Sequence, residues 1–116
     1  MTQRQARCLF TLLKAQLVIW VNEQGWDICE SEGYVKDTDA ADGDYDGPHK
    51  KGGAHYLGTG CDLNLYVEGL WISDGSHPIW QTIGRRWKAL NPLCRWGGDF
   101  LKRDSNHISL EFQGKY

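Results

Sequence analysis

Two short stretches of this chain alternate polar and apolar residues, and each opens on a side chain that can bind a metal ion. Asp62-Leu-Asn-Leu-Tyr66 and His107-Ile-Ser-Leu-Glu-Phe112 carry the two-residue period of a half-buried strand. Leu63 and Leu65 are therefore expected to face a core, with Asp62 and Asn64 on the other side. Ile108, Leu110 and Phe112 form the matching apolar row. If the two strands are neighbours, His107 comes to lie beside Asp62. His55 precedes Asp62 in a glycine-rich stretch, and Gly58 and Gly60 let the backbone fold back so that both side chains reach one point. Three protein ligands with a position left for water is how catalytic zinc is held. His55, Asp62 and His107 thus read as ligands of one Zn²⁺.

Asp104 stands three residues before His107, across a turn of small polar residues. A carboxylate there is placed to accept a proton from an activated water and return it to a leaving amine. The ordinary role of such an Asp is to cap its own turn. The same D-x-x-H spacing recurs at Asp74 and His77, where Pro78 makes the pair a helix start instead of a strand start.

Elsewhere the helical period dominates. Leu9, Leu13, Leu17 and Trp20 predict an amphipathic helix over residues 3–24, ended by Gly25. Trp26 to Val35 reads as a strand with Ile28 and Cys29 inward. A second helix is predicted from Pro78 to about Leu90, with Ile79, Ile83 and Trp87 on one face and Asn91-Pro92 ending it. Trp96-Gly-Gly-Asp-Phe100 reads as a tight glycine-hinged loop. Two helices and several strands without a βαβ rhythm predict one α+β domain over residues 1–116, with a small, mainly antiparallel sheet.

Residues 36–53 form a polar Asp- and Gly-rich loop. Asp42-Gly-Asp-Tyr-Asp-Gly47 matches the first half of a calcium loop, but Gly53 falls where the bidentate Glu belongs, so a solvated loop is the reading there. His49 lacks the glycines and the following strand that mark His55. The formal net charge of −2, with no basic stripe, argues against a nucleic-acid partner. Leu9 to Val21 is interrupted by Lys14 and Gln16 and is too short to span a bilayer. Arg4 and Arg7 mimic the start of a signal peptide, but no small-residue cleavage site follows. Cys8, Cys29, Cys61 and Cys94 are scattered singly, which excludes a C-x-x-C motif and favours buried free thiols over bridges.

The ordered set of motifs resembles the M15 metallopeptidases, the family of zinc D-alanyl-D-alanine carboxypeptidases and phage L-alanyl-D-glutamate endopeptidases. Their first motif, Ser-x-His-x-x-Gly-x-Ala-x-Asp, is filled here by Gly53-Ala-His55-Tyr-Leu-Gly58-Thr-Gly60-Cys-Asp62. Their second, an acid a few residues before a histidine, is matched by Asp104 and His107. Asp62 to Tyr66, Trp96 to Phe100 and Asn106 to Glu111 look like the short phage-encoded members. The similarity covers residues 26–112, taken as the catalytic core, and the N-terminal helix also has a counterpart.

The resemblance implies a Hedgehog/DD-peptidase-like fold and zinc on His55, Asp62 and His107, with Asp104 as general base and acid. It also implies a peptidoglycan stem peptide as substrate for a monomeric phage lysin, held in the host cytoplasm until lysis and not inserted in a membrane. Gly53 and Gly60 depart mildly from the motif. A larger departure is Val35, where the family places a substrate-anchoring Arg; Lys36 is the nearest cation, and Lys is the poorer bidentate partner. The competing expectations are a D-alanyl-D-alanine carboxypeptidase or dipeptidase, and a zinc-stabilised cell-wall binding module without catalysis.

Overall fold

Helix α1 (Gln3–Glu23) starts at a capping box. The Thr2 hydroxyl accepts from the Gln5 N–H at 3.1 Å, and the Gln5 side chain accepts from the Thr2 N–H at 2.8 Å. It ends in a Schellman arrangement: Gly25, at φ +86°, donates to the Asn22 carbonyl at 2.9 Å, and Trp26 reaches the Val21 carbonyl at 3.4 Å. Trp26 then packs edge-on against Trp20 at 6.2 Å, the apolar contact that accompanies this cap. The face that α1 buries is Ala6, Phe10, Leu13, Leu17 and Val21, one stripe at helical spacing. Leu9 and Trp20 flank it, half-buried.

The computed structural model describes residues 1–31 and 53–116. Among the described residues, five antiparallel strands form the sheet: β1 (Asp27–Glu30), β2 (Gly60–Val67), β3 (Leu70–Trp71), β4 (Cys94–Trp96) and β5 (His107–Leu110). Their order is β1-β2-β5-β4, and β3 folds back on the end of β2. Glu68 and Gly69, both at positive φ, make the two-residue turn between β2 and β3, the twist that suits a tight hairpin. A one-turn helix α2 (Ala54–Leu57) precedes β2, and helix α3 (Pro78–Leu90) lies between β3 and β4. The fold is α+β with an antiparallel sheet and flanking helices, as the two periods predict.

The core lies between α1, α3 and one face of the sheet. Leu63 and Leu65 from β2 meet Ile108 and Leu110 from β5, with Ile83 and Trp87 from α3. Trp87 is fully buried; its ring meets Phe10 edge-on at 5.8 Å, and its indole N–H is shared between the carbonyls of Arg95 and Ser109. Each such side chain contributes about 1.5–3 kcal/mol through removal from water.

Two expectations need correction. Cys29 is exposed while Ile28 is half-buried, because consecutive strand residues point to opposite faces and cannot both be inward. All four cysteines are free, but only Cys94 is buried; Cys61 is partly covered, and Cys8 and Cys29 are exposed. No helix among the described residues is long and apolar enough to cross a membrane.

Candidate metal centre

The cross-strand register builds the site. Asp62 on β2 lies directly opposite His107 on β5, so both project from the same face of the sheet. Their neighbours Leu63 and Ile108 point the other way, into the core.

His55 arrives from α2, which α1 holds in place. The Gln3 amide donates to the Leu57 carbonyl at 3.2 Å, and the Arg7 side chain crosses so close to Gly58 that an added Cβ would stand 2.7 Å from its Nε. Gly58 itself takes φ +76°, reversing the chain between His55 and β2. Gly60 fits between Ala54 and Ser109, where an added Cβ would lie 2.9 Å and 3.1 Å from their Cβ atoms. Gly53, at the N-cap of α2, supplies no side-chain cap.

The three donor atoms form a nearly regular triangle. His55 Nε2 is 3.0 Å from His107 Nδ1, and each of these nitrogens is 3.3 Å from Asp62 Oδ1. Three donors bound about 2.0–2.2 Å from one tetrahedral ion stand roughly 3.3 Å apart or slightly more, so the triangle fits a single small cation. Two imidazoles and one carboxylate suit a transition-metal ion better than Ca²⁺ or Mg²⁺, which take oxygen donors. The imidazoles stack at 5.0 Å, and Phe100 covers His107 from beside it at 5.5 Å.

Burial and electrostatics agree with a preformed site. The side chains of His55, Asp62 and His107 keep 11%, 20% and 6% of their exposure, so all three are largely buried. Burial alone raises the Asp62 carboxyl, but hydrogen bonds and charge from His107 and His55 outweigh it and hold the acid well below the usual carboxylate range. It stays ionised, as a ligand must. Cys61, adjacent in sequence, points to the other face; burial pushes its thiol up to about 12, so it is not a thiolate donor. Among the described residues, Nε2 of His107 is buried without a hydrogen-bond partner.

Asp104 lies outside the group of donors that fall within 4.8 Å of one another. It is exposed, and it lines a cavity of about 350 Å³ with Asn64, Trp71 and Arg103. Its backbone is fixed: its N–H donates to Gly97 and its carbonyl accepts from His107, both at 3.0 Å. The look-alike pair forms the same turn, with His77 N–H on the Asp74 carbonyl at 3.1 Å. Side chains separate the two. The Asp74 carboxylate is consumed by the Ser76 N–H and hydroxyl at 2.9 and 2.7 Å, and His77 Nδ1 caps α3 through Ile79 at 3.1 Å. The Asp104 turn instead delivers its histidine into β5.

What positions this turn is a contact between residues far apart in the chain. The Trp96 indole is clamped between Gly84 of α3 and Gly98; an added Cβ at either glycine would stand 2.2 Å from the ring. Its N–H donates to the Ser105 carbonyl at 2.7 Å, two residues before His107. Only the isolated glycine within an otherwise helical stretch hinted at a close approach. Val35, Lys36, His49 and the Asp42–Gly47 segment lie outside the described residues. No protein-family model matches this chain, and no curated protein matches it either.

Proposed function

We propose that this chain is a zinc-dependent peptidoglycan endopeptidase that hydrolyses a stem-peptide bond, with L-alanyl-D-glutamate as the first candidate. The observation that carries the reading is the triangle of His55, Asp62 and His107, whose edges and donor chemistry suit Zn²⁺. The order of motifs, which resembles that of the phage lysins, supports the substrate class. Bound there, zinc supplies Lewis acidity toward a peptide carbonyl and brings the pKa of a water near neutrality.

The protein's own groups do the rest. Asp62 and the two imidazoles hold their geometry through the β2–β5 register and the glycine contacts of α2. Asp104 takes a proton from the attacking water and returns it to the leaving amine, a task worth roughly 10²–10⁴ in rate. The core behind the sheet keeps the ligands from relaxing away.

Metal content together with mass spectrometry of peptides released from purified cell walls tests this. The expected result is one zinc per chain and new amino termini at D-glutamate, abolished by a chelator. Zinc-loaded protein that releases no peptide from walls refutes the peptidase, and release of D-alanine alone moves the cut to the carboxypeptidase bond.

A further inference from the structure

We propose that an anion-binding groove beside Asp104, carried by Arg85 and Arg103, selects peptide substrates bearing free carboxylates. The proposal rests on the peptidase reading and adds a specificity site to it. The cavity that Asp104 lines adjoins a second one of about 330 Å³, and Gly75, Ser76, Arg103 and Ser105 line both. At their junction the 74–77 turn meets the 103–106 loop closely, and a Cβ on Gly75 would stand 3.2 Å from the Ser105 hydroxyl.

The second cavity is cationic. Gln81, Arg85 and Lys88 project from one face of α3 at helical spacing, and Arg103 faces them across the groove. Asp99 is the carboxylate of that lining, and it is occupied by Lys88 at 2.7 Å. Among the described residues, neither Arg85 nor Arg103 enters an ion pair. On a chain whose formal net charge is −2, two uncommitted guanidiniums in one concave site are a local reversal of sign. Guanidinium binds carboxylate through two parallel N–H bonds, so the groove suits the carboxylates of an acidic peptide. Arg103 is also the residue before Asp104, and both line the first cavity.

The test uses full-length, zinc-loaded protein and two probes, an acidic stem tetrapeptide and the same peptide with its carboxylates amidated. Binding by calorimetry and KM by peptide release are measured for wild type, Arg85→Gln, Arg103→Gln and the double variant. Both arginines are exposed, so these variants are expected to fold, and circular dichroism checks it. Wild type is expected to favour the acidic probe about tenfold, with the preference shrinking in high salt and lost in the double variant. Equal binding of the two probes by wild type, or a preference that survives in the double variant, overturns the groove. Zinc-loaded wild type that prefers the acidic probe but never cleaves it keeps the groove and removes the peptidase.

Discussion

Replacing Gly97 with Ala should damage the metal centre from a distance, through space alone. Gly97 does not have a positive φ, so the substitution carries no backbone strain of its own. The added Cβ would stand 2.0 Å from the Asp104 carbonyl oxygen, 3.0 Å from its carbonyl carbon and 2.8 Å from the His107 Cβ. The first is more than an ångström inside a normal carbon–oxygen contact, and the obstacle is backbone, which cannot rotate aside. The 104–107 turn has to move outward and take His107 with it. Overpacking of this kind costs about 1–3 kcal/mol, which lowers Tm by roughly 5–15 °C in a domain of this size. A displaced ligand should also weaken zinc about 10–100-fold, as loss of a supporting contact does in other metal sites. Gly25→Ala is the control: φ is +86° and no heavy atom lies within 4 Å, so it costs about 1 kcal/mol of strain far from the site. Melting in the presence of a chelator gives the stability of the metal-free chain, and competition titration against a zinc chelator gives affinity. A Gly97→Ala protein that melts lower yet binds zinc like wild type refutes the coupling between this glycine and His107. One that melts like wild type refutes the contact itself.

Gly84→Ala decides between two opposed effects: helix propensity favours Ala by about 1 kcal/mol, but the Cβ would enter the Trp96 ring at 2.2 Å, so Tm should fall, and a rise would disprove the clamp. His107→Ala should abolish zinc binding, whereas Asp104→Ala should keep one zinc and lose about 10²–10⁴ in turnover; stoichiometric zinc in the first or full activity in the second contradicts the assigned role. Iodoacetamide on the native chain should label Cys8 and Cys29 and spare Cys61 and Cys94, whose thiols burial raises to about 12 and about 11; mass spectrometry that finds Cys94 labelled at the same rate as Cys8 argues against that burial. Because those two thiols ionise at lower pH once unfolded, the folded state should hold its full advantage below pH 9 and lose it as pH rises toward 11; denaturant midpoints flat from pH 8 to 11 would count against it.

The parts of the fold that were legible in the sequence are those set by short-range periodicity. The 3–24 helix matches α1 at Gln3–Glu23, and the alternation at Asp62–Tyr66 lies inside β2. Pro78 and Gly25 mark the ends they predict, because a missing N–H and a positive φ are local requirements. His55, Asp62 and His107 were readable as a group because glycine spacing and the two alternating strands constrain them together. The strand reading from Trp26 shows the limit: its described part is β1, and placing Ile28 and Cys29 both inward ignored the pleat. The Gly84–Trp96–Gly98 clamp was not legible, since Gly84 in isolation reads only as a weak point in a helix. The crossing of Arg7 over Gly58 was hidden for the same reason: nothing near either residue announces a partner so distant in sequence.

The metal geometry can be traced to the apolar pattern itself. Asp62 faces His107 only in the observed β2–β5 register, and that register is fixed by Leu63, Leu65, Ile108 and Leu110, all at 2% exposure or less. A slip of β2 by one residue would turn Leu63 and Leu65 out of the core and send Asp62 into it. At about 1.5–3 kcal/mol for each of the two leucines, the slipped pairing is disfavoured by about 3–6 kcal/mol, a large share of the stability of an ordinary domain. Holding two ligands in place therefore needs no strong interaction between them. The core sets their alignment, and α2, pinned by Gln3 and Arg7, adds the third. It follows that conservative core changes such as Leu65→Val should lower stability while leaving zinc affinity near wild type, because register and not packing density sets the triangle. Changes that alter the seating of α2, such as Gly60→Val, should weaken zinc binding as well as lower stability, since the collision falls on Ala54 and Ser109 beside the ligands.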